Sequence, residues 1–270
     1  MKNYAIILAT LLSLLIPMKS WGADLNTGVD AYMSGDYATA LNELKPLAKK
    51  GNAAAQTNLG IMYKEGKGVP QSNKTSVKWF TAAAEQGHAK AQYNLGYMYE
   101  FGQGITQDLK AARLWYGRAA LQNYPRALYA YAVMLETGKG GAPKDEITAY
   151  IFYEFAAILG HPIAQFNTAN FYDKGKVIPQ DYKTAFKLFI LSAEQGFAKA
   201  QYNLGIYYGL GQGVTKNYEL AYMWSSIAFL NGVKLAKQNI DFLAKKLTPS
   251  QIEKVKTLTL ECIEKGYKGC

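Results

Sequence analysis

The chain has 270 residues, 49% hydrophobic and 19% charged, which is ordinary globular composition and excludes a disordered half. Its formal net charge is +10, spread along the chain with no long basic run, so it favours acidic partners or anionic surfaces in general and speaks against nucleic acid. Tyrosine is abundant, at 21 residues, and most of these fall at positions that recur.

The first element is a leader. Met1-Lys2-Asn3 is a short positive start, and Tyr4 to Ile16 is an apolar run of thirteen residues that Pro17 breaks. Ser20-Trp21-Gly22-Ala23 then supplies small residues for cleavage after Gly22 or Ala23. The run is too short to cross a bilayer, so residues 1–23 read as a signal peptide, with a buried N-terminal helix as the alternative. No cysteine near the cleavage site offers a lipid anchor. The expectation is a periplasmic or secreted chain without a membrane span, its charge about +8 once Lys2 and Lys19 are removed.

Asp24 to Gly51 reads as a leading pair of helices. A turn at Ser34-Gly35-Asp36-Tyr37 divides them, and Ala38, Ala40, Leu41, Leu44, Leu47 and Ala48 line one face of the second at helical spacing.

A longer text then repeats. Ala89-Lys-Ala-Gln-Tyr-Asn-Leu-Gly96 returns verbatim as Ala198 to Gly205, closely as Ala53 to Gly60, and in worn form as Pro125 to Ala132 and Pro162 to Ala169. The closing residues Gly60, Gly96, Ala132, Ala169 and Gly205 stand 36, 36, 37 and 36 residues apart, a period that marks stacked structural repeats. In each unit a first helix carries Leu-Gly-x-x-Tyr or its relic, as in Leu59-Gly60 with Tyr63 and Leu95-Gly96 with Tyr99. The small residue admits a neighbouring helix, and Leu and Tyr are expected to fill the space beside it. Gly66, Gly102, Gly138, Gly175 and Gly211 end these helices, glycine being the residue that takes a left-handed cap at little steric cost. Ser72, Asp108, Asp145, Asp181 and Asn217 are N-cap types and open the second helices. Those carry a large residue at Trp79, Trp115, Phe152, Leu188 and Trp224, and end at Gly87, Asn123, Gly160, Gly196 and Gly232.

Lys234 to Lys246 reads as a last first-helix that has lost the repeat text. Thr248 as N-cap and Pro249 in the first turn begin a further helix whose apolar face is Ile252, Val255, Leu258 and Cys262. Terminal repeats must cover the end of the core, so this helix reads as a cap. Cys262 and Cys270 are the only cysteines, and in an exported chain they have one possible pairing, a disulfide that staples the last turn. The predicted architecture is all-α: a solenoid of stacked antiparallel helix pairs over residues 24–246, with a capping helix in residues 247–270.

The agreement of several units in register resembles the Sel-one-like repeat family, a relative of the tetratricopeptide repeats. The residues that carry the resemblance are Ala89 to Ile105, Asp108, Ala112 to Ala120, and the closing phrase Ala83-Ala84-Glu85-Gln86-Gly87. The resemblance covers residues 24–246 and implies a right-handed α/α superhelix acting as an adaptor rather than an enzyme, with the first helix of each pair on the concave side. Exported cysteine-rich relatives have a disulfide in every repeat. This chain lacks those cysteines, and that subgroup's cell-wall reading is not carried over.

No catalytic constellation emerges, and no cofactor is expected. His88 and His161 are the only histidines, at equivalent positions two units apart, and with packed helices about 10 Å apart they are not expected to meet. Each is expected to be a solvent-facing turn residue. The Gly-x-Gly pairs follow a helix rather than a strand, so the nucleotide-binding context is missing. What remains is a surface. Thr57, Tyr93, Tyr129, Phe166 and Tyr202 form one row on the first helices, which either binds a ligand or packs unit against unit. Ile61, Tyr97, Val133, Asn170 and Ile206 form a second row, in which Tyr97 and Asn170 are the candidates for specificity. Lys90, Arg126 and Lys199 stand near the helix starts and are placed to steer an acidic partner. Aromatic rows of this kind suit a protein or peptide partner, with peptidoglycan or another cell-envelope glycan, bound with or without weak hydrolase activity, as the alternative.

Overall fold

A computed structural model describes residues 23–141 and 143–270; apart from Ala23, the leader reading lies outside them. The described residues form fourteen helices and no strand. They divide into two compact units between Gln86 and Gly87. The first unit holds α1 (Leu25–Ser34), α2 (Tyr37–Lys49), α3 (Ala53–Glu65) and α4 (Asn73–Glu85). The second holds α5 (Ala89–Phe101), α6 (Leu109–Ala120), α7 (Pro125–Thr137), α8 (Glu146–Ile158), α9 (Pro162–Lys174), α10 (Tyr182–Ala193), α11 (Ala198–Leu210), α12 (Tyr218–Leu230), α13 (Ala236–Ala244) and α14 (Pro249–Glu264). Within each unit the helices up to α13 pack on the next in the chain and pairs stack on pairs, while α14 packs on α12.

The helix ends follow from local chemistry. Ser72, Asp108, Asp145, Asp181 and Asn217 each accept backbone N–H bonds from the first turn they open, satisfying donors that have no partner inside the helix. At the other end of the pair, Asn123 is a non-glycine residue at φ 58°, where the equivalent repeats use glycine. Asparagine tolerates the left-handed region better than most residues.

Helix pairs close around the small residue of the repeat text. A Cβ on Gly60 would stand 2.6 Å from the Phe80 ring, and one on Gly96 would stand 2.8 Å from the Tyr116 ring. The fully buried aromatic residues of the second helices are therefore Phe80, Tyr116, Tyr153 and Phe189. They lie one position after Trp79, Trp115, Phe152 and Leu188, which are only half-buried. The first helix differs from expectation in the same way. Met62 and Met98 are fully buried, while Tyr63 and Tyr99 are half-buried. Unbranched methionine fills the irregular space beside a ring, and tyrosine stays where its hydroxyl reaches solvent. In the fifth repeat Ser225 takes the place of that ring; Trp224 is buried as expected there, and Tyr207 joins it in the core, 5.2 Å from the Phe189 ring.

A half-buried amide ladder, its acceptors in the core and its donors at the surface, links successive repeats. Gln122 donates to Gln92, Gln195 to Gln165 and Asn231 to Gln201, each at 2.8 Å and 30 residues along. Gln165 and Gln201 in turn donate to the carbonyls of Ala157 and Ala193. In the first unit Gln86 and Gln56 make the same pair, and Gln56 donates to Ala48. Each bond contributes roughly 1 kcal/mol net, but a lone buried amide would cost more than that. The third repeat replaces its amide with the buried Leu128.

The end of the chain departs from the pattern. The helix expected over Lys234 to Lys246 is the shorter α13, which starts at Leu235 without a side-chain cap. Thr248 and Gln251 form a reciprocal capping box that starts α14 with Pro249 in its first turn. Helix α14 lies against α12, and Val255 and Cys262 enter the same core as Phe189 and Trp224. Cys262 and Cys270 are joined. The bond does more than close the last turn. It holds a tail that reaches back to the end of α10, where Gly269 N–H donates to Glu194 and the Tyr267 ring lies against Gly196.

Candidate functional site

The candidate residues Tyr93, Tyr97, Tyr129, Phe166, Asn170, Tyr202, Lys90, Arg126 and Lys199 all belong to the second unit, on the first helices α5, α7, α9 and α11. Helical spacing puts Tyr93 and Tyr97 on one face of α5, one turn apart. The first row is half-buried, and three of its members lie against the residue that opens the next first-helix. Tyr93 lies 5.5 Å from Tyr124, Tyr129 stacks on His161 at 4.7 Å with the rings 16° apart, and Phe166 meets Phe197 edge-on at 5.1 Å. Each also touches the aromatic core of its own pair: Tyr116, Tyr153 and Phe189 respectively. One ring therefore serves both the pair and the inter-repeat contact, with an edge still at the surface. Tyr202 is likewise half-buried. Thr57, in the first unit, is fully buried and returns its hydroxyl to the Ala53 carbonyl, so it lines no groove.

The two histidines are not solvent-facing. His161 is half-buried, accepts the Ala164 N–H on Nδ1 and so caps α9. Burial pushes its pKa down to about 4, and the nearby Arg126 adds to the shift. His88 is also half-buried, with its pKa lowered by burial and then by Lys90. His161 takes the place that Tyr124 and Phe197 hold as the ring of the other inter-repeat contacts. Its flat aromatic shape, not its charge, suits the place.

Arg126 is the centre of this region. Its charge reaches Tyr93, Tyr124 and His161, partly offsetting the upward push that burial gives both tyrosines. Arg126, Lys90 and Lys199 are exposed and each is the second residue of its helix. The helix dipole opposes a cation at that end. The charges therefore do not stabilise the helix starts that carry them.

Beyond the rings lies a line of carboxylates. Tyr116 donates to Glu100 and Tyr153 to Glu136, both at 2.8 Å, and Tyr207 donates to Asp173. Burial and then the adjacent carboxylate hold the Tyr116 hydroxyl well above its ordinary pKa. The face is thus basic at the helix starts and acidic near the helix ends, a pattern that was not read from the sequence. Its signal was available in an acidic residue four positions after the small residue of three repeats.

The second row is not one continuous strip. Tyr97 packs on Phe101 at 4.5 Å, whereas Asn170 lines a cleft of about 150 Å³ with Glu136, Asn167 and Lys176. Ile206 faces a separate apolar groove shared with Phe242 and Leu243 of α13. Among the described residues no helix is long and apolar enough to cross a membrane.

These features define an all-helical repeat protein whose pairs stack through conserved-length units of about 36 residues and present one half-buried aromatic row. The chain belongs to the Sel1 repeat family, whose model matches residues 53–88, 89–124, 125–161, 162–197 and 198–233. Its structure is similar to that of a Sel1 repeat protein from Oxalobacter formigenes, at 30% identity and TM-score 0.74, covering 87% of this chain and 95% of that one. The fold is shared with c5321, a protective antigen of uropathogenic Escherichia coli strains displaying an SLR fold, at 24% identity and TM-score 0.50, covering 90% of this chain and 69% of that one. No curated protein matches the sequence.

Proposed function

We propose that this protein is an exported, non-enzymatic adaptor that binds a protein or peptide on the first-helix face of its second unit. The observation that carries the reading is the placement of Arg126 beside the half-buried rings of Tyr93 and Tyr124, with the Glu100 and Glu136 carboxylates further along the same helices. A segment with an acidic group, an apolar side chain and a basic group in turn would match that surface. The family supports a scaffold role. The leader at residues 1–23 supports a periplasmic or secreted location.

Affinity capture from an envelope fraction tests the proposal. Tyr97→Ala and Arg126→Ala are preferred to changes at Tyr93 or Tyr129, whose rings are also structural. A protein retained by the parent and lost by the double variant, at unchanged melting temperature, is the expected result. Retention by both, or sedimentation with peptidoglycan alone, would overturn the face or the partner class.

A further inference from the structure

The outer side of α8 carries a run of exposed large apolar residues. Ile147, Ile151, Phe155 and Ile158 are 66%, 42%, 52% and 74% exposed. Their spacing of four, four and three residues lays them in one stripe along the helix. The equivalent positions elsewhere are not all apolar: Lys110, Leu114, Arg118 and Leu121 on α6, and Lys183, Lys187, Leu191 and Glu194 on α10. Stripes of this length are uncommon on a surface that has no partner.

The molecule itself contains a covered version of the same face. On α12 the equivalent residues are Glu219, Met223, Ile227 and Leu230; Met223 and Ile227 are 2% and 0% exposed, and Leu230 at the end of the stripe stays 63% exposed. They are buried in the core that includes Val255 and Cys262 of α14. Glu219 accepts bonds from Gln251 at 3.0 Å and Lys254 at 3.1 Å. What covers this repeat position is therefore an amphipathic helix with a polar residue bonded across its edge.

The edge of the α8 stripe has the opposite charge. Phe152, three residues before Phe155, turns toward α7 and meets Tyr131 edge-on at 4.9 Å. Together they back a groove of about 310 Å³ between α6 and α8, where Gly117 leaves room beside Tyr131. Lys110, Arg113 and Arg118 line this groove, and no carboxylate does among the described residues. Glu154, on the far side of the stripe, accepts the Tyr150 hydroxyl.

We propose that the outer face of α8 is a second docking surface, independent of the first-helix face. Its occupant is an amphipathic α-helix of a partner protein whose apolar stripe covers Ile147, Ile151, Phe155 and Ile158 and whose acidic edge meets Lys110, Arg113 and Arg118. An apolar side chain of that helix enters the groove above Tyr131.

The test uses the whole mature protein and three labelled synthetic helical peptides, followed by fluorescence anisotropy. One carries a leucine stripe with glutamate edges, the second the same stripe with lysine edges, and the third the glutamate peptide scrambled. The glutamate peptide is expected to bind at least tenfold tighter than either control and to weaken as salt rises. Ile151→Glu with Phe155→Glu should abolish that binding, and Arg113→Glu should reduce it severalfold. Ile151 and Phe155 are exposed, so for the double variant circular dichroism and melting should stay unchanged and separate lost binding from lost folding. Equal binding of all three peptides, no binding of any, or binding undisturbed by the double variant would overturn the proposal. So would a dimer in sedimentation that the double variant dissociates, since the occupant would then be a second copy. Failure of the first-helix variants leaves this result untouched, because they lie on other helices.

Discussion

Helices α8 and α12 hold the same place in their repeats and begin with the same kind of N-cap, yet they differ in what covers them. Met223 and Ile227 of α12 are buried in one core with α14, while their counterparts Ile151 and Phe155 of α8 face solvent. The chain therefore uses one register for two purposes. Burial at a repeat position is not a property of the position; it depends on which later segment returns to it.

The sharpest way to break this comparison is to cut the same face on both helices. Ile227→Ala removes a fully buried side chain beneath α14 and is expected to cost about 3 kcal/mol in urea unfolding. If the loss were as small as that of a surface residue, α14 would not be covering α12. Cys270→Ser tests the cover directly. The bond spans eight residues, and its loss should cost about 2 kcal/mol. Hydrogen exchange in α14 should accelerate while exchange in α5 to α8 stays as it was.

A second pair of repeats extends the comparison inward. Gln165→Ala removes one bond from the Gln195 amide, which keeps the Leu191 carbonyl, and one from the Ala157 carbonyl, which keeps the Gly160 N–H, and should cost about 1.5 kcal/mol. Gln165→Leu combined with Gln195→Leu imitates the third repeat, where Leu128 is buried, and should restore most of that loss. A double-mutant cycle measures the coupling; strict additivity would show that the two amides act separately.

Smaller again is the effect of pH at the start of α9. The His161 pKa is depressed to about 4, so the folded state resists a proton that the unfolded chain accepts near 6.5. Stability should be fully present above pH 6.5 and fall as pH drops from there toward 4. Discounted for partial exposure, the loss is roughly 1 kcal/mol. His161→Asn keeps a capping side chain and should remove this part of the pH dependence. The carboxylate caps Asp145 and Asp181, whose pKa values are lowered by hydrogen bonds to Thr148 and Thr184, act in a lower window, below the ordinary carboxylate range. Least of all, Phe155→Ala should change stability by no more than about 0.5 kcal/mol, because nothing in the described chain covers that ring. A large loss there would mean that α8 is not bare.

Much of the fold was legible because the repeat text states its own boundaries. Capping residues and glycines act on the few residues beside them, so Ser72 or Gly102 announces a helix end wherever the helix goes. The core was less legible. Trp79 looks like a stronger core residue than Phe80, but one position on a helix is a rotation of about 100°, and the close approach to Gly60 decides which ring is buried. His161 was misread for the same reason. A histidine in a turn looks solvated until a ring 32 residues earlier, Tyr129, is brought beneath it.

By itself the sequence determined the helical class, the period near 36 residues, the helix limits and the family, since all of these depend on local spacing and on short-range backbone hydrogen bonds. Only the tertiary structure decided which amides pair between repeats, which tyrosines meet the carboxylates of neighbouring helices, and why the face of α12 is covered while that of α8 is open. Those outcomes rest on contacts between segments 16 to 75 residues apart, such as Tyr116 with Glu100 and Gly269 with Glu194. No local pattern encodes them, because each depends on the packing that brings distant helices together.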